Sequence, residues 1–252
     1  MRKARGVVVA VAGPSASGKS TVVDAAARRY GWVPLDEAYY RLPRRPRLTW
    51  SSERELRRLE LRLLAEEARR FVEARSWAAR GRTVVVDTPF LDPVAYTAGL
   101  FRIGLARRGT LDAVLSRARA LAEHGRLGVP DLTVALSVPA ATRRERAARD
   151  PLRHPARLRA RHEAVGRAEA VVAVPCLRRA APGRVRALRA VGSAGSVAAR
   201  LRAAVAGTSP LGDPCSVALR ALEALRRRTG PRRPPPARGN LKKGTLPPRR
   251  PR

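Results

Sequence analysis

Nine residues, Gly13 to Thr21, constrain the fold of this chain more than any others. They read Gly-Pro-Ser-Ala-Ser-Gly-Lys-Ser-Thr, and Gly13, Gly18, Lys19 and Ser20 take the four fixed places of G-x-x-x-x-G-K-[ST], a phosphate-binding loop. Small residues let successive main-chain N–H groups turn inward around an anion. Gly18 lets the backbone approach that anion with no side chain in between. A loop of this kind has to leave a strand and open a helix, because a helix N-terminus adds partial positive charge beside the phosphates. Both neighbours are present. Gly6 to Ala12 is a short apolar, β-branched run that reads as a buried parallel strand. Thr21 to Tyr30 carries a helical pattern that Gly31 ends.

In that setting Gly13, Pro14, Ser15, Ala16, Ser17, Gly18, Lys19, Ser20 and Thr21 form a candidate ATP site. Lys19 reaches the β- and γ-phosphates, and the Ser20 hydroxyl holds Mg²⁺. Lysine usage points the same way. Of 53 Lys and Arg residues only four are lysine, at 3, 19, 242 and 243, so an arginine-writing chain keeps lysine where a compact point charge is needed.

The remainder repeats strand and helix. Gly31 to Glu37 is a second strand candidate ending in Asp36 and Glu37, and residues 41–50, with two prolines, read as a loop. Ser51 and Ser52 cap a long helix that runs to about Arg80 and stops at Gly81. Thr83 to Asp87 is a strand closing on an acid, the usual place for a second Mg²⁺ contact after such a loop. Asp92-Pro93 opens a helix, and broken helical material follows to about His124. Asp131 to Val138 is a strand, and Thr142 to Arg149 is a helix carrying Arg143, Arg144, Arg146 and Arg149. Helix resumes from His162 to Ala170, and a short apolar piece spans Val171 to Pro175. Arg184 to Val191 is a strand candidate, and Val197 to Val205 reads as the last core helix. This rhythm predicts an α/β fold: the three-layer sandwich of P-loop NTPases, with about five parallel strands, helices on both faces, and ligands at the carboxyl ends of the strands.

The 252 residues allow one such domain, placed at 1–206, with an arginine-rich lid near 140–160 and an extension at 207–252. The extension holds nine of the 21 prolines and twelve Lys and Arg against two acids; one helix at 216–228 followed by a disordered tail is expected there. A formal net charge of +33 favours anionic partners, among them nucleotide, nucleic acid and acidic lipid. The tail interleaves no aromatic residue that would stack on bases, which leaves it at most a weak nucleic-acid contact. Cys176 and Cys215 give neither a metal spacing nor a disulfide framework, so a reducing cytoplasm is the default compartment. No apolar stretch reaches the length of a membrane span. Oligomeric state is open, a homodimer included.

With these residues laid out, the chain resembles the P-loop nucleoside and nucleotide kinases, and among them thymidylate kinase. Asp87-Thr88-Pro89-Phe90-Leu91-Asp92-Pro93-Val94-Ala95-Tyr96 looks like that family's D-R-Y-x-x-S-x-x-A-Y, with Asp87, Ala95 and Tyr96 in register. Pro130-Asp131-Leu132-Thr133 is similar to the family's PDLT, and the arginine helix after Pro139 to its lid. The resemblance implies transfer of the ATP γ-phosphoryl to a small acceptor, with Lys19, Ser20 and Asp87 at the phosphates and metal. One of Arg143, Arg146 and Arg149 would then act as an arginine finger. Asp36, Glu37, Arg41 and Tyr96 would serve the acceptor, Glu37 or Asp36 orienting or deprotonating its hydroxyl. Two departures bear on the acceptor. The family arginine after the strand acid is Thr88 here, and its serine is Asp92. Losing that arginine weakens a monophosphate acceptor and leaves a nucleoside open. Glu37 resembles the base of deoxynucleoside kinases, and Glu37 to Arg41 has some likeness to ribosylnicotinamide kinases. A P-loop ATPase acting as a switch or on nucleic acid is the reading from another class; no N-K-x-D guanine motif is present to make it a GTPase.

Overall fold

The computed structural model describes residues 6–43, 50–149 and 156–230. Residues 44–49 of the loop expected at 41–50, residues 150–155 of the lid and the tail from 231 lie outside the described residues. Five strands, β1 (Val8–Ala12), β2 (Val33–Leu35), β3 (Val84–Asp87), β4 (Leu132–Ser137) and β5 (Val185–Arg189), form one sheet in the order β2-β3-β1-β4-β5. Every pairing is parallel, with Val9 opposite both Val85 and Leu132 at the centre. The helices are α1 (Lys19–Tyr30), α2 (Ala38–Arg41), α3 (Glu53–Ala79), α4 (Asp92–Arg102) and α5 (Arg108–Glu123), followed by α6 (Ala140–Arg149), α7 (Ala156–Ala180), α8 (Ala194–Val205) and α9 (Pro214–Thr229).

The period-two alternation of strands divides the core into two layers. Val8, Ala10, Val84 and Val86 face a layer built with α3, α4, α5, α7 and α9. Val7, Val9, Val11, Val85, Leu132 and Val134 face the opposite layer, built with α1 and α8. A parallel sheet covered on both faces puts every strand's carboxyl end along one edge, and the residues just beyond those ends meet there.

Local chemistry explains the element ends. Gly31 closes α1 in the left-handed region at φ 64°, its N–H bonded to Ala27 O. Ser52 caps α3, its Oγ accepting from Glu55 N–H at 3.2 Å, while Ser51 donates main-chain and side-chain bonds back to the Glu55 carboxylate. Asp131, which opens the PDLT-like stretch, is a structural knot. Its fully buried carboxylate accepts from Val8 N–H at 2.7 Å, Leu211 N–H at 2.7 Å and Arg75 Nη1 at 2.9 Å. It ties together the start of β1, helix α3 and the segment before α9.

Two expectations are corrected. The helix expected to pause after Ala170 runs on through Pro175 to Ala180. Proline has no N–H for the carbonyl four residues back. That carbonyl, Val171 O, instead accepts from Arg228 Nη1 of α9 at 2.9 Å. The boundary at 206 also moves. Helix α9 is no appendage: Val217, Ala218, Ala221, Leu222 and Leu225 are buried in the same layer as α3, α5 and α7. The apolar spacing of 217, 218, 221, 222 and 225 is one helical stripe, which the arginine-rich average composition of 207–252 conceals.

Candidate active site

The β1–α1 loop is held open by its backbone. Ala16 and Gly18 both lie in the left-handed region, at φ 60° and 88°. Such turns alternate with right-handed residues to aim main-chain N–H groups into a concavity. Gly13 has no room for a side chain: a Cβ there would sit 2.9 Å from Ser17 Oγ and 3.1 Å from Leu136 O. Lys19 Nζ donates to Gly13 O at 3.0 Å, which draws the ammonium back across the loop. Ser20 Oγ donates to Asp87 Oδ2 at 2.5 Å, joining the first turn of α1 to the end of β3. A hydroxyl and a carboxylate are hard oxygen donors, and Mg²⁺ binds through one or two such side chains plus phosphate oxygens and water. The pair fits that ion. Among the described residues no group of three or more His, Cys, Asp or Glu could hold a metal by itself.

A cleft of about 1210 Å³ opens at the carboxyl edge of the sheet, and every residue from Gly13 to Thr21 lines it. Of the lid arginines among the described residues, only Arg146 lines it; its Nη1 donates to Ser17 O at 3.2 Å. Arg143 is half-buried outside the lining, with its Nε lacking a hydrogen-bond partner. Arg149 is exposed and paired with Glu145 one helical turn back. Of the acceptor candidates, Glu37 and Tyr96 line the cleft. Asp36 is exposed and outside it. Arg41 is outside it too, because Glu66 and Glu73 of α3 capture its guanidinium at 3.1 and 2.7 Å.

Sequence reasoning missed the contribution of α3. Glu60, Glu67 and Arg70 are almost completely buried. Arg70 Nη1 pairs with the Glu67 carboxylate at 2.5 Å, and Nη2 donates to Asp87 O at 2.7 Å and more weakly to Leu35 O at 3.4 Å. One guanidinium thus bridges the carboxyl ends of β2 and β3 and fixes the backbone of Asp87. Next to it, Thr88 sits at φ 72°, a strained position for a β-branched residue. A signal for the buried acids was available. Glu60 and Glu67 fall in register with the apolar stripe Leu56, Leu64, Phe71, Ala74 and Ala78.

Glu37, Glu60, Glu67 and Asp92 line the cleft together. Burial pushes Glu67 up to about 8 against the pull of Arg70, with Asp92 and Glu37 adding to the rise. Burial and the Glu37 carboxylate push Asp92 up to about 7, opposed by Lys19 and Arg70. Burial and then Asp92 raise Glu60 well above the carboxylate range. Desolvation thus favours the protonated form of these buried acids.

No helix among the described residues is long and apolar enough to cross a membrane. No curated protein matches the sequence. Among solved structures, the deoxyadenosine kinase of M. mycoides with bound dATP superposes with a TM-score of 0.60 at 11% identity, over 78% of this chain and 97% of that one. Thymidylate kinase from Candida albicans gives 0.55 at 16% identity, over 80% of this chain and 91% of that one. At these identities the likeness is one of fold, the three-layer α/β fold of P-loop nucleoside and nucleotide kinases. A family model described as "AAA domain" matches residues 8–175, about two thirds of the chain, from β1 and its phosphate loop into α7. The protein is therefore a member of the AAA-domain family of P-loop proteins, built on the nucleoside and nucleotide kinase fold.

Proposed function

We propose that this protein is an ATP-dependent phosphotransferase that moves the γ-phosphoryl group of ATP to a hydroxyl of a small nucleoside or nucleotide acceptor. The observation that carries this reading is the Ser20–Asp87 contact at 2.5 Å, with Lys19 and Arg146 both bonded to the same loop. Phosphoryl transfer asks a protein for positioning and charge, with little covalent chemistry of its own. Loop amides and Lys19 hold the β- and γ-phosphates. Ser20 and Asp87 would hold Mg²⁺, which when bound offsets charge on the phosphate oxygens. Arg146 follows the γ-phosphoryl as charge redistributes. Glu37, half-buried in the cleft wall, orients the acceptor hydroxyl and takes its proton.

A thymidylate kinase-like acceptor, a nucleoside monophosphate, is the reading of the D-x-x-x-x-x-x-x-A-Y register. A nucleoside or ribosylnicotinamide acceptor is favoured by Thr88 standing where the family places arginine. The test is incubation with γ-labelled ATP and a panel of nucleosides, monophosphates and ribosylnicotinamide. Label on one acceptor is expected. ATP hydrolysis stimulated by DNA or RNA, with no labelled acceptor, would favour a P-loop ATPase instead.

A further inference from the structure

The chain carries 53 basic and 20 acidic residues, yet the acceptor side of its cleft is acidic. Glu37, Glu60, Glu67 and Asp92 line it, and among the described residues the only Lys or Arg in the lining are Lys19 and Arg146, both at the phosphate loop. Arg70 is the one buried cation beside these acids among the described residues, and its bonds go to Glu67, Asp87 O and Leu35 O. Glu60 is 1% exposed, and its Oε2 has no hydrogen-bond partner. A buried carboxylate oxygen left without a partner is costly, so the group either keeps a proton or receives a cation from outside. Tyr39, Tyr40, Trp50 and Tyr96 line the same cleft, and aromatic faces attract cations.

We propose that the acceptor is a cationic hydroxyl compound, whose positive end is received by Glu60 and the neighbouring carboxylates of the cleft. The proposal rests on the phosphotransferase reading for its chemistry. The acceptor hydroxyl oxygen forms the new P–O bond, and the bond from the γ-phosphorus to the β–γ bridging oxygen breaks with its electron pair leaving on ADP. The hydroxyl proton passes to Glu37. A cation in this place displaces protons from carboxylates that otherwise share them. The charged groups around that set are Lys19 on α1, Glu37 before α2, Glu60, Glu67 and Arg70 on α3, Asp87 at the end of β3, and Asp92 at the start of α4.

The experiment is a binding titration, so it does not depend on turnover. The full chain, saturated with Mg²⁺ and a non-hydrolysable ATP analogue, is titrated by calorimetry with ribosylnicotinamide, its uncharged dihydro form and its 5′-monophosphate. A cationic amino sugar serves as a second chemotype. At least one cation is expected to bind about tenfold or more tighter than its uncharged counterpart, with proton release near neutral pH, and the monophosphate to bind more weakly than the riboside. In Glu60→Gln the preference for the cation should shrink to within about threefold while affinity for the ATP analogue holds. If that variant does not fold, the wild-type preference decides. Equal or tighter binding of the uncharged form, tighter binding of the monophosphate, or no binding of either cation overturns the proposal. Cation preference without label transfer from ATP would sink the phosphotransferase reading instead, so the two failures are distinct.

Discussion

Replacing Arg146 by alanine separates the three lid arginines most sharply. Its guanidinium bonds to Ser17 O at 3.2 Å, one residue from Gly18 in the loop that would carry the phosphates. A unit charge about 4 Å from a developing negative charge, at an effective dielectric of about 20, is worth about 4 kcal/mol. At about 1.4 kcal/mol per tenfold, that is a factor of about 10³ in rate, within the range of arginine fingers in phosphoryl transfer. Single-turnover transfer from γ-labelled ATP should therefore slow by about 10³ in R146A, with ATP affinity falling less than tenfold. Folding should hardly register the change, because one bond from a half-buried guanidinium is worth only about 1 kcal/mol. Arg149 is exposed and tied to Glu145, so R149A should change the rate by less than about threefold. A loss below tenfold in R146A, or a larger loss in R149A, would refute the placement of Arg146 at the reacting group.

Three further outcomes follow from other parts of the structure. Asp131→Ala strands Val8 N–H, Leu211 N–H and Arg75, and urea unfolding should report a loss of about 3–5 kcal/mol; a loss under about 1 kcal/mol would contradict the knot. Arg228→Ala should cost about 1 kcal/mol alone and nearly nothing in a Pro175→Ala background, where a main-chain N–H again serves Val171 O; additive costs would mean the guanidinium does not stand in for the missing amide. Glu67 and Asp92 have folded pKa values raised to about 8 and about 7 from 4.5 and 3.8. A raised value stabilises fully below the unfolded pKa and is lost as pH rises through the folded one, so stability should fall between about pH 4 and pH 8. Glu67→Gln, which cannot ionise, should flatten that decline by on the order of 2 kcal/mol; parallel curves for the two proteins would contradict it.

The legible parts of this fold are those whose causes are local. The phosphate loop, its strand and its helix were readable because each depends on residues within a few places of Lys19. Strand β3 was readable because three valines end on Asp87. The parts that were not readable depend on partners far along the chain. Pro175 reads as a break until Arg228, 53 residues later, takes up the carbonyl it leaves. Composition made 207–230 look like an extension, whereas burial of Leu222 and Leu225 against the α3 layer decides that it belongs to the domain. The site divides the same way. Lys19 and Ser20 follow from motif spacing, and Asp87 from the strand that ends on it. Arg41 looked like a site residue from its place after Glu37, but Glu66 and Glu73 claim it. Glu60 and Glu67 were masked by the run of acids and arginines along α3, which reads as a solvated face unless their register with Leu56, Leu64 and Phe71 is followed.

The central claim is that the loop at Gly13–Thr21 grips a triphosphate through main-chain amides and one ammonium. Titration calorimetry with Mg²⁺ and ATP tests it most directly, on the wild-type protein and on Lys19→Ala. Binding at one site by the wild type is expected, weakened at least about tenfold in the variant at an unchanged melting temperature. Absence of binding by the wild type, or equal affinity in the two proteins, would contradict the account.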